Sequence, residues 1–91
     1  MNSQDARKAL AREIRNALVN DEQRTPDNIE ELDRIVREWR AQCRAPLDDF
    51  LDQAYHSLLH FLTDRDIRIK DIDYAIQQHQ RMRELAERLE R

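Results

Sequence analysis

The residues of this chain that could do chemistry fall in three places. The first is His56-Ser57-Leu58-Leu59-His60, which sets two imidazoles four residues apart, on one face of a helix. Neutral imidazoles at that spacing can chelate one transition metal, and Asp52, one turn earlier, could supply a third ligand. A structural zinc site takes four protein ligands, and no fourth is in reach. The glutamate that follows the first histidine in helical metalloproteases is absent too. Two surface histidines beside aspartates is therefore the simpler reading, and no metal or other cofactor is expected.

The second place is Asp64 to Ile76, "DRDIRIKDIDYAI", with four aspartates. Read as a calcium loop from Asp64, it has an acid at the third position, Asp66. The fifth, sixth and twelfth positions are Arg68, Ile69 and Ala75, where an EF-hand needs an oxygen ligand, glycine and glutamate. The stretch reads better as a connector whose Ile67 plugs into the core, with Asp71 and Asp73 in the first turn of a helix, where carboxylates suit the dipole. The third place is His79, a polar residue inside the apolar stripe of the last helix. There it can fix register or partner choice, or sit hydrogen-bonded at the edge of an intramolecular core.

Nothing assembles into a catalytic set. Ser3 and Ser57 are the only serines, and the chain has no glycine for a phosphate-cradling loop. The single cysteine, Cys43, rules out an internal disulfide and a cysteine-based zinc site. A non-enzymatic protein is expected.

The stretch "DRDIRIKDIDYAI" resembles the loop and last core helix of histone-fold proteins. In that pattern a short extended residue, here Ile67, precedes a helix opening like Ile69-Lys70-Asp71-Ile72 and continuing Tyr74-Ala75-Ile76. Helical lid domains of AAA-type ATPases are similar in the same way. The chain departs from the histone pattern at Pro46, which would fall inside the long central helix, and at Asp64 and Asp66, which stand where that fold carries cations.

The elements that hold these residues are helical. The chain has 91 residues, no Gly and two Pro, and is rich in residues that lose little freedom in a helix. A single domain of this size, residues 1–91, buries only about 60 to 65% of its unfolded surface. With 40% apolar and 38% charged residues, its helices must be thinly striped. The expected architecture is a small antiparallel all-α bundle of three to four helices with a long C-terminal helix.

The first helix runs from about Ser3, a candidate cap, to Asn20, carries Ala6, Leu10, Ile14, Ala17 and Leu18, and is the weakest. Thr25-Pro26 opens the second, which reaches Cys43 with Ile29, Leu32, Val36 and Trp39 in phase. Pro46 starts the third, with Asp48 and Asp49 in its first turn. Its broad stripe from Leu47 to Leu62, widened by Phe61, predicts the most buried element. The fourth begins near Ile69, with Ile72, Ala75, His79, Met82, Ala86 and Leu89 in phase. Its far end should overhang what three short helices can cover.

That overhang sets the functional expectation: a protein-binding module, an adaptor, chaperone or regulator, acting as a homodimer. Its partner-binding face would be His79, Met82, Leu85, Ala86 and Leu89. Trp39, in phase with its own stripe, is the further candidate. A net charge of −3, from 16 basic and 19 acidic residues, makes nucleic acid an unlikely partner. A nucleic-acid-associated regulator would have to use Arg81, Arg83, Arg88 and Arg91, which Glu84, Glu87 and Glu90 interleave. A toxin-neutralising or nuclease-blocking partner would use the acidic run Asp48 to Asp73 as a phosphate mimic. No apolar run reaches the ~20 residues of a membrane span and no signal peptide is visible, so a soluble cytoplasmic protein is expected.

Overall fold

The computed structural model describes residues 3–22, 29–43 and 47–91. Among the described residues five helices are packed together, in the order α1 (Ser3–Glu22), α2 (Ile29–Gln42), α3 (Asp49–Thr63), α4 (Arg65–Lys70) and α5 (Ile72–Glu90). The all-α bundle with a long C-terminal helix is thus the fold. No helix among the described residues is long and apolar enough to cross a membrane. The start signals Thr25, Pro26 and Pro46 lie outside the described residues.

Two aspartates expected inside first turns are caps instead. Asp48, in extended backbone, accepts a hydrogen bond from the Leu51 amide at 2.8 Å and opens α3. Asp71 accepts from the Tyr74 amide at 3.1 Å and opens α5. Each satisfies an amide that the helix leaves without an internal partner. The backbone at Asp71, φ −130° and ψ 101°, also ends the preceding helix.

The connector between α3 and α5 is itself helical. Residues 65–70 form α4, so Ile67 is not the extended residue that the histone-fold likeness implied. It is half exposed rather than plugged into the core, and the residue turned inward is Arg68.

The core joins all the longer helices. Phe61, Leu10, Ile14, Leu58, Leu89 and Val36 are its largest fully buried side chains. α1, expected to be the weakest helix, is as deeply placed as α3: Ala6, Leu10, Ala11, Ile14, Ala17 and Leu18 are all buried. Its most extensive packing is against α5, and the two run antiparallel. Arg7 near the start of α1 donates to the Arg88 carbonyl at 3.1 Å, and Asp21 near its end meets His79 at 2.6 Å.

The two helices have 20 and 19 residues. At 1.5 Å per residue both span roughly 30 Å, so α1 covers α5 over most of its length. The uncovered overhang expected at the end of α5 does not exist. Met82, Ala86 and Leu89 are buried within the single chain, and Leu85 packs partly buried against the same core. The alanines of α1 and Ala86 let the two backbones approach closely, which compensates for a stripe of low apolar content.

Candidate functional site

The polar centre of the molecule is Arg68. Its guanidinium grips the Asp21 carboxylate with two hydrogen bonds, Nη2 to Oδ1 at 2.9 Å and Nε to Oδ2 at 3.2 Å. This fork geometry makes arginine the residue suited to buried carboxylates. Nη1 donates to the Phe61 carbonyl and, at 2.8 Å, to Gln78 Oε1. The guanidinium carbon also lies 3.7 Å from the centre of the Phe61 ring, an attractive cation–π arrangement. Four hydrogen bonds and an aromatic face thus replace the water that Arg68 gives up.

His79 completes the cluster. Its Nε2 is 2.6 Å from Asp21 Oδ2, and its ring is tilted against Phe61 at 6.0 Å. His79 thus sits hydrogen-bonded at the edge of the core. Burial alone would push the Asp21 carboxyl up. The hydrogen bonds from Arg68 and His79, with their charges, outweigh burial and hold it below the ordinary value of 3.8.

A second set of bonds continues from Gln78. Its Nε2 donates to Tyr74 Oη at 2.9 Å and to Asp64 Oδ2 at 3.3 Å, and Tyr74 Oη donates to the same Asp64 oxygen at 2.7 Å. The hydrogen bond to Asp64 is the main reason the Tyr74 phenol is raised above its usual value, since ionisation would place a phenolate against a carboxylate. The continuous network ties the ends of α1 and α3 to α4 and the first turns of α5.

Turning Arg68 inward fixes what faces outward. Neighbours on a helix are about 100° apart, so Ile67 and Ile69 emerge on either side of the buried arginine. Ile72 and Ile76 follow, one turn apart on one face of α5. All four isoleucines are exposed, by 50 to 73%. They are the main apolar surface that the fold leaves uncovered among the described residues. Sequence periodicity alone would bury Ile67 and Ile72. The signal that could have corrected this is the arginine between Ile67 and Ile69, had its acidic partner been known.

The other predicted site residues are dispersed. Trp39 is buried, its ring 5.8 Å from that of Tyr55, and its Nε1 has no hydrogen-bond partner among the described residues. Together with Met82, Ala86 and Leu89 it is enclosed by the chain's own helices.

His56 is exposed and lies 3.7 Å from Asp52. His60 instead borders a shallow cleft of about 220 Å³ with Ser57, Asp64, Tyr74, Gln78, Arg81 and Met82. No group of three or more metal-ligating side chains comes together among the described residues. Within the acidic run, Asp48 and Asp71 are caps and Asp64 accepts hydrogen bonds from Tyr74 and Gln78. Of the C-terminal arginines, Arg88 stacks 4.4 Å over the Phe50 ring. No protein-family model, curated protein or solved structure matches this chain.

Proposed function

We propose that this chain is a non-enzymatic protein-binding module, and that its docking face is formed by Ile69, Ile72 and Ile76 with Ile67 at its edge. The observation that supports this is the exposure of these four side chains at the best-braced end of the bundle. Helix formation does not explain their presence, because β-branched residues are mediocre helix formers and an exposed position favours Ala, Lys, Glu or Gln. Core packing does not explain it either, because the residue that α4 buries is Arg68. Burying one such side chain contributes about 1.5 to 3 kcal/mol, which here is left for another molecule to realise. A rigid scaffold beneath the face lowers the entropic cost of binding.

The homodimer expected from an uncovered His79–Leu89 stripe loses its basis, since α1 occupies that stripe. The test compares capture of proteins from the native cell by the intact chain and by an Ile72→Glu/Ile76→Glu variant. Both side chains are exposed, so the variant should keep the melting temperature of the parent. A partner retained by the parent and lost by the variant is the expected result. Identical capture by the two chains would remove the isoleucine face from the reading.

A further inference from the structure

We infer that the occupant of the isoleucine face is the apolar side of a basic amphipathic helix from another protein. This rests on the protein-binding reading above and adds the chemistry of the partner. The argument is charge. Between Asp66 and Ile76 the exposed charged residues are Asp66, Lys70, Asp71 and Asp73, three acids against one base. Arg68 would bring the balance to three acids against two bases, but it is buried and its charge is taken up by Asp21. The isoleucines are therefore interleaved with an excess of exposed carboxylates.

Farther along α5 the next exposed residues are Gln77 and Gln80, both uncharged, and Arg81, which lies about 140° round the helix from Ile76. Arg83 lies seven residues, roughly 10 Å, beyond Ile76. That is about one Debye length at physiological salt, so it offsets the rim only weakly. Arg65, before the face, is half-buried.

An apolar centre with an anionic rim selects a complementary surface: aliphatic residues at spacings of three and four, flanked by Lys or Arg. The same rim opposes the other occupants. A second copy would bring like carboxylates together across a two-fold axis. An anionic lipid surface would repel them, since interfacial binding of this kind relies on a basic rim.

The full chain is titrated with three synthetic amphipathic helical peptides sharing one leucine face and carrying Lys/Arg, Gln or Glu flanks. Binding is read by fluorescence anisotropy at low and physiological salt. The cationic peptide should bind tightest and weaken as salt rises. Asp66→Asn and Asp73→Asn should each weaken it by about twofold to fivefold, the range for rim charge pairs. Asp71 is left intact because it caps α5. Ile72→Glu/Ile76→Glu should abolish binding.

Equal binding of the cationic and neutral peptides, unaffected by the two Asn variants but lost in the isoleucine variant, overturns the charge inference while leaving the protein-binding reading in place. Failure of all three peptides, or binding that ignores the isoleucine variant, overturns both. Self-association in sedimentation that the isoleucine variant abolishes, or binding to phosphatidylserine vesicles, would show a different occupant and overturn the inference.

Discussion

Replacing Asp21 with Asn removes one charge and almost no volume, and leaves the Arg68 guanidinium in place. The Arg68 side chain is 2% exposed and that of Asp21 11%, so the ion pair is a buried one. Breaking such a pair from one side costs about 3 to 5 kcal/mol, because the remaining charge stays desolvated without its counter-ion. Arg68 would keep the Phe61 carbonyl, Gln78 and the Phe61 ring, which places the expected loss near the lower limit, about 3 kcal/mol. A domain of this length has roughly 5 to 14 kcal/mol in total. At about 4 to 8 °C per kcal/mol the melting temperature should fall by roughly 12 to 24 °C.

Urea unfolding followed by far-ultraviolet circular dichroism and by Trp39 fluorescence gives the value directly. Arg68→Met should cost less than Asp21→Asn, since Asp21 would retain His79 and its greater exposure. The double variant should be more stable than the two single losses add up to, because neither charge is then stranded. The Asp21 carboxyl is depressed in the folded state, so its contribution is complete above its ordinary value of 3.8 and disappears as pH falls through the lower folded value. The gap between parent and Asp21→Asn should therefore close as pH falls from the ordinary carboxyl value of 3.8 through the lower folded value. An Asp21→Asn variant within about 1 kcal/mol of the parent at pH 7 would refute the view that this pair braces α1 against α4 and α5.

Three further outcomes follow from the same structure. Ile14→Ala, at a fully buried position, should cost about 2 to 4 kcal/mol in urea unfolding, whereas Ile76→Ala should stay within about 0.5 kcal/mol. In a spectrophotometric titration of the Tyr55→Phe chain, Tyr74 should ionise above the ordinary tyrosine value, and Asp64→Asn should bring it back down. Asp48→Ala should lower stability by about 1 kcal/mol through loss of the α3 cap, while Asp49→Ala, exposed in the first turn, should cost less.

Much of the fold was legible locally. Absence of glycine, the three-and-four spacing of apolar residues and aspartates before apolar runs are signals carried within a turn or two of chain. They placed α1, α3 and α5 to within a few residues. Local signals tie Asp48 and Asp71 to helix starts, but α3 and α5 begin about three residues later than those signals indicate, which makes both aspartates caps. The short α4 was missed because residues 65–70 carry little periodicity and depend on a boundary at each end, Asp64 and Asp71.

The candidate site was much less legible. Local pattern assigns isoleucine inward and arginine outward, and at residues 67 and 68 the chain does the reverse. The reason is Asp21, 47 residues away on another helix, which offers Arg68 a bidentate partner. His79 was poised between two roles for the same reason, its partner lying 58 residues away.

What the sequence by itself determined is the set of helices and the stripe each offers to a core, because propensity, capping and periodicity act between residues at most four apart. Only the tertiary structure decided which stripe covers which: that α1 lies along α5 and buries Met82, Ala86 and Leu89, and that Arg68 turns in and leaves the isoleucines in water. Those choices balance desolvation against pairing between distant residues. That balance exists only once the helices are side by side.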